Sequence, residues 1–111
     1  MFQLVETVLG DKIKCRMKLP VDHQIHRCRR HKKYEAELLI KMAEGSSFLD
    51  IGAHYGDTVL TMALHAKVRN RSDIRFFAFE PNQDKCDYIR MMGAMNGLDI
   101  VVFQNGAGDE T

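Results

Sequence analysis

The sequence predicts an α/β fold: the first half of a doubly wound parallel sheet, preceded by a β-hairpin and a helix. Three observations carry that expectation. From residue 34 onward, apolar runs alternate with stretches of helical spacing in the order α-β-α-β-α-β. The run IRFFAFE is too apolar on both faces for a strand in an exposed sheet. Finally, FLDIGAHYGDTVL, residues 48–60, stops an apolar run at Asp50, sets Gly52 and Gly56 around His54, and resumes as a helix. Glycine costs backbone entropy, so a turn with two of them implies unusual dihedrals or a need for room.

The elements follow in order. Residues 2–19 alternate imperfectly around Gly10-Asp11, as a β-hairpin or two short strands would, and Pro20 ends them. Residues 21–33, VDHQIHRCRRHKK, are the most basic stretch. YEAELLIKMAEG then places Tyr34, Leu38, Leu39 and Met42 on one helical face, with Gly45 suited to the helix end. SFLDIG reads as a short buried strand and DTVLTMALHAK as a helix with Val59, Met62, Ala63 and Ala66 inward. After the polar loop VRNRSD comes IRFFAFE, the second strand. A third helix runs from Asn82, a natural N-cap, to the Asn96-Gly97 stop, with Met91, Met92 and Met95 as core filling. DIVVFQ is the third strand, and NGAGDET follows. Strands alternating with helices require right-handed crossovers and a parallel sheet. The organisation expected is a hairpin and basic segment over residues 1–33 and half of a ligand-binding domain over 34–111, a fragment of a larger sheet.

Bulk properties exclude several classes. At 111 residues the chain suffices for one small core, not two. No apolar run approaches the roughly 20 residues of a membrane span, and MFQLVETVLGDK lacks the plan of a secretory signal. The expected partners therefore include no membrane, and the expected compartment is the cytoplasm. Cys15, Cys28 and Cys86 are odd in number and form no C-x-x-C pair, so they read as reduced thiols. Charge is unevenly spread. Residues 1–45 hold ten Lys/Arg against six Asp/Glu, a balance of +4, and residues 46–111 hold six against nine, a balance of −3. The glycine turn sits in the acidic part, which suits a cationic ligand better than a polyphosphate.

Three ligands compete for that turn. A dinucleotide turn wants G-x-G-x-x-G and an acid about 20 residues on. Here His54 stands where the middle glycine belongs, and the acid arrives at Glu80. A P-loop needs Gly-Lys-Ser/Thr, which is absent. S-adenosylmethionine (SAM) fits better. It carries no phosphate, its sulfonium and ammonium are cationic and suit Asp50, and its ribose diol suits the carboxylate of Glu80. Glycines at 52 and 56 would admit the methionine end closely, and histidine is among the residues enriched at positive φ.

LDIGAHYGDT followed by FFAFEPNQDKCDYIRMMGAMNGL resembles the FkbM-type family of SAM-dependent O-methyltransferases. In that family a D-x-G-A-N-x-G-D turn precedes an A-F-E-P-N strand end, a helix and an N-x-L step. The matching residues are Asp50, Gly52, Ala53, Gly56 and Asp57, then Ala78, Phe79, Glu80, Pro81 and Asn82, then Asn96 and Leu98. His54 stands where the family has asparagine. The resemblance covers roughly residues 34–108 and implies a Rossmann-like sheet of the class I SAM methyltransferase type. It also implies SAM as cofactor, with Asp50 to Gly56 holding the methionine end and Glu80 the ribose. Asn105, Gly106 and Ala107 would flank the adenine. The implied activity is methylation of a sugar or small-molecule hydroxyl. No catalytic base falls within the matched residues, and half a doubly wound sheet leaves an open edge, so the 111 residues alone are expected to be catalytically silent and weakly stable. The other readings are an RNA methyltransferase and a non-catalytic nucleotide-binding or structural module.

The remaining motifs have plainer explanations. His23, His26, Cys28 and His31 are interleaved with Arg27, Arg29 and Arg30, whose charge opposes a divalent cation, so no metal site is expected. The run Arg27, Arg29, Arg30, Lys32, Lys33 reads as a solvated segment, since no aromatic residue interleaves with it to stack bases. Tyr34 and Glu35, on the preceding helix, are further candidates for contact with the cofactor's amino group.

Overall fold

The computed structural model describes residues 2–9, 13–20 and 32–105, with side chains from Glu37 onward. The Gly10-Asp11 turn, the His23–His31 cluster, Gly106 and Ala107 lie outside the described residues, as do the side chains of Tyr34 and Glu35. β1 (Phe2–Leu9) and β2 (Ile13–Pro20) pair antiparallel, from Phe2 opposite Pro20 to Leu9 opposite Ile13. β3 (Ser47–Ile51), β4 (Arg75–Phe79) and β5 (Ile100–Phe103) form a parallel sheet in the order β3-β4-β5. The helices are α1 (Lys32–Lys41), α2 (Asp57–Val68) and α3 (Gln83–Met95). The α/β alternation and the parallel sheet agree with the sequence.

Two right-handed crossovers running in the same direction place α2 and α3 on one face of the sheet. The core lies there: Leu39 of α1, most of α2, Phe76 and Ala78 of β4, and Tyr88, Ile89 and Met92 of α3 form one cluster. α2 carries more of it than its helical spacing implied. Besides Val59, Met62, Ala63 and Ala66, the structure buries Leu60, Thr61, Leu64 and His65, because α2 lies between α1, α3 and the sheet. Among the methionines of α3, Met92 is fully buried, while Met91 and Met95 are half-buried. Met92→Ala is expected to cost about 2–5 kcal/mol, read as a lower midpoint in urea. An unchanged midpoint would mean that α3 is not docked.

Two expectations need correction. Leu38 does not share the buried face of α1. Leu39 is buried and Met42 half-buried, but Leu38 faces solvent, because α1 meets α2 through a narrow stripe. Nor are the strands buried on both faces, since all three helices lie on the same side of the sheet. The strand order places α1 and α2 towards the β3 side and α3 against β5.

At the N-terminal end of the sheet, Arg71 ties two loops together. Its guanidinium donates to both carboxylate oxygens of Asp73, at 3.0 and 3.1 Å, and to the Leu39 and Met42 carbonyls that end α1. The Gly45 amide donates to Asp73 at 2.9 Å. The Arg71 hydrogen bond first, and the Gly45 amide second, hold the Asp73 carboxyl well below the usual carboxylate range.

Candidate functional site

The strand register sets the geometry. Ile51, Phe79 and Phe103 are successive partners, so β3, β4 and β5 end level with one another. In open α/β sheets ligands bind outside the carboxyl ends of the strands. Asp50, Gly52, Glu80 and Asn105 all fall at that edge.

The turn after β3 is built onto the end of β4. The amides of Gly52 and Ala53 both donate to the Phe79 carbonyl, at 2.9 and 3.1 Å. Gly52, His54 and Gly56 have φ of 71°, 56° and 81°, all in the left-handed region. His54 thus adopts the positive φ anticipated for it. The two glycines serve different ends. A Cβ on Gly56 would sit 2.8 Å from Ile89 Cγ1 and 3.2 Å from Leu60 Cδ1, so Gly56 lets α2 start tight against α3. A Cβ on Gly52 would meet nothing within 4 Å. Gly52 therefore leaves open space at the strand end.

Glu80 follows β4 directly and is buried. Its carboxylate accepts from the His54 amide at 2.8 Å through Oε1 and from the Asn82 amide at 2.9 Å through Oε2. Its own amide donates to the Phe103 carbonyl at 3.0 Å, and its carbonyl accepts from the buried Cys86 thiol at 3.0 Å. Burial pushes the carboxyl up, but the Asn82 and His54 amides, with the charges of Lys85 and His54, outweigh it and hold it below its ordinary value. Glu80 is thus ionised and fixed, with one donor on each oxygen and lone pairs to spare. Asn82 caps α3, its side chain accepting from the Lys85 amide at 3.1 Å, as its type and position implied.

Asp50, on β3, is half-buried, and its Oδ2 is buried with no hydrogen-bond partner among the described residues. Desolvation raises its carboxyl, offset in part by the Val59 amide at the start of α2. An acid whose folded pKa is raised contributes stability in full below its unfolded value and loses it as pH rises through the folded value. At neutral pH the ionised group is therefore a cost to the fold, one that a cationic ligand would offset. Asp50→Asn is expected to raise the melting temperature by a few degrees at pH 7 and to weaken a cationic ligand by about tenfold. A lower melting temperature with unchanged ligand affinity would contradict this.

Of the other residues singled out in the sequence, Ala53 is buried in the turn and Asp57 opens α2. Pro81 and Asn105 are exposed at the sheet edge. Two residues were missed. Tyr55 is 41% exposed, packs edge-on against Tyr88 at 5.5 Å, and lies under the Lys85 ammonium, 5.5 Å from its ring centroid. Lys85 Nζ also stands 3.5 Å from His54 Nδ1, and that nitrogen is 3.9 Å from Glu80 Oε1. Helical side chains lean towards the N-terminus, which would have aimed Lys85 back at the turn.

A cavity of about 320 Å³, lined by Ala63, Lys67, Arg71, Ile74, Leu98 and Asp99 among others, opens near the N-terminal ends of β4 and β5, opposite this edge. Among the described residues no helix is long and apolar enough to cross a membrane.

No protein-family model and no curated protein matches this chain. Among solved structures it is similar to TYW2 of P. horikoshii, crystallised in complex with MeSAdo, at 14% identity and a TM-score of 0.53. The match covers 99% of this chain and 38% of that one, so the chain spans well under half the length of its structural neighbour. At that identity the likeness concerns the fold alone, and with the parallel order β3-β4-β5 it establishes a Rossmann-like α/β fold.

Proposed function

We propose that this chain is the cofactor-binding half of a SAM-dependent methyltransferase of the FkbM type, acting on a hydroxyl of a sugar or another small molecule. One observation supports the reading above the others. An ionised, backbone-braced acid, Glu80, and a half-buried acid with a buried, unpartnered oxygen, Asp50, stand at the ends of adjacent strands, with open space beside Gly52. A ligand fitting both acids has a diol at one end and positive charge at the other. That is SAM's chemistry rather than a polyphosphate's. The MeSAdo bound by the structural neighbour is in keeping with it.

The cofactor supplies an activated methyl group on its sulfonium. The chain's residues bind and orient. Glu80 accepts hydrogen bonds from the ribose hydroxyls, Asp50 complements the charge of the methionine end, and the resemblance assigns the adenine to Asn105, Gly106 and Ala107. Pro81 and Asn82 hold the Glu80 corner. Alignment of the acceptor oxygen with the methyl is the remaining requirement, and no residue of this chain is assigned to it.

The test is a calorimetric titration with S-adenosylhomocysteine, and NAD as the control. The expected outcome is saturable binding of the first and none of the second. NAD binding, or no binding by a chain that melts cooperatively, would overturn the proposal. A second reading, an RNA acceptor, draws on the run Arg27 to Lys33. It requires RNA binding that weakens with salt and is lost when Arg29 and Arg30 are neutralised.

A further inference from the structure

The Nδ1 nitrogen of His54 has two neighbours with opposite demands. Lys85 Nζ stands 3.5 Å from it and Glu80 Oε1 stands 3.9 Å from it. An ammonium has three protons to donate and accepts none, whereas an ionised carboxylate only accepts. A neutral imidazole carries its proton on one nitrogen and accepts on the other. Nδ1 can therefore serve Lys85 or Glu80, but not both.

Nothing in the packing keeps the ring away from Glu80. The His54 side chain is 74% exposed. Its own amide already donates to the same Oε1 at 2.8 Å, so the ring hangs beside that oxygen. Closing the 3.9 Å gap to a hydrogen bond takes a movement of about 1 Å. Lys85, by contrast, is held. Its amide donates to the Asn82 cap, its ammonium lies 5.5 Å from the Tyr55 ring centroid, and Tyr55 packs edge-on against the buried Tyr88. That distance is within the range of a cation–π contact. A lysine in the first turn of a helix opposes the helix dipole, so the stability of α3 does not account for it.

From these distances we infer that Lys85 is a positioning residue for Glu80. It keeps His54 Nδ1 as an acceptor, fixes the ring as its Nε2–H tautomer, and holds the ring off the carboxylate. Without the ammonium, Glu80 is the nearest charged partner of Nδ1. The ring's proton then exchanges through water to Nδ1, and the ring turns onto Oε1. There it occupies the lone pair that a ligand would use. His54 thus braces Glu80 through its amide and competes for it through its ring, and Lys85 decides the competition. The tautomer stands by itself. Its effect on affinity rests on the proposed function, in which Glu80 takes the ribose diol.

The test begins with nitrogen-15 NMR of the His54 ring in the free chain at neutral pH. The parent is expected to show a protonated Nε2 and an unprotonated Nδ1. Lys85→Met keeps an unbranched stem without the ammonium, and is expected to move the proton to Nδ1. Lys85→Arg retains a donor that stacks on Tyr55, and is expected to keep the parent pattern. A protonated Nδ1 in the parent, or the parent pattern in Lys85→Met, would overturn the inference. Calorimetry with S-adenosylhomocysteine reads the consequence. Lys85→Met is expected to bind about fivefold more weakly than the parent. His54→Gly removes the ring but keeps the amide that braces Glu80. In that background Lys85→Met is expected to change affinity by less than about twofold. An equal loss in both backgrounds would mean that Lys85 acts on the ligand or on Glu80 directly, and would also overturn it. If the parent binds no S-adenosylhomocysteine, the proposed function fails, and the ring nitrogens still decide this inference.

Discussion

Glu80→Gln is expected to weaken S-adenosylhomocysteine by roughly 100-fold, about 3 kcal/mol, the worth of two hydrogen bonds to a charged acceptor. The amides of His54 and Asn82 take one lone pair on each Glu80 oxygen, and the remaining pairs are those a ribose diol would use. Glutamine keeps the shape but replaces one acceptor by a donor, which faces an amide and a hydroxyl at once. The fold is also weakened, by about 1–3 kcal/mol for the amide left unpaired. A ligand comparison separates the two effects. The parent protein should discriminate against the 2′-deoxy form of S-adenosylhomocysteine, and the variant should bind both forms alike. Continued discrimination by the variant would remove Glu80 from the ribose. Because the folded-state pKa of Glu80 is lowered, its contribution to stability is complete above its ordinary value of 4.5 and is lost as pH falls through the folded value.

Gly56→Ala is expected to abolish the cooperative melt or lower it by more than about 10 °C. Two costs combine. A side chain at φ 81° is strained by about 1–2 kcal/mol, and its Cβ would press within 2.8 Å of Ile89 Cγ1, an atom held in the core rather than at a free chain end. Overpacking of that kind costs about 1–3 kcal/mol. Gly52→Ala is the contrast. It carries the same kind of strain, at φ 71°, but its Cβ would enter open space. Its melt should fall by only a few degrees, and ligand binding should suffer most. If both variants melt alike, the division of labour between the two glycines is wrong.

Much of this was legible in the sequence because each signal was local. The apolar runs marked the strands, Asn82 marked the start of α3, and Gly-x-x-x-Gly marked a turn that needed left-handed backbone. His54 fitted there despite its side chain, since its type tolerates that region. What escaped was the consequence of layering. Helical spacing finds one buried stripe, but α2 is enclosed by α1, α3 and the sheet, so Thr61 and His65 are buried as well. An apolar strand does not say whether both of its faces have partners, and Leu49 and Val101 do not. Tyr55 and Lys85 lie 30 residues apart in sequence and meet only because α3 starts beside the turn.

The Tyr55 contacts have a practical consequence. The chain has no tryptophan and only three tyrosines, so its ultraviolet emission comes from tyrosine alone. Tyr55, in the turn before α2, and Tyr88, within α3, are in contact with each other, and the Tyr55 ring carries a lysine ammonium above it. An adenosyl group settling at the strand ends would alter both the polarity and the quenching around Tyr55. Under the proposed function, Tyr55 would then serve as an optical reporter beside the strand ends, able to follow occupancy in real time without a label.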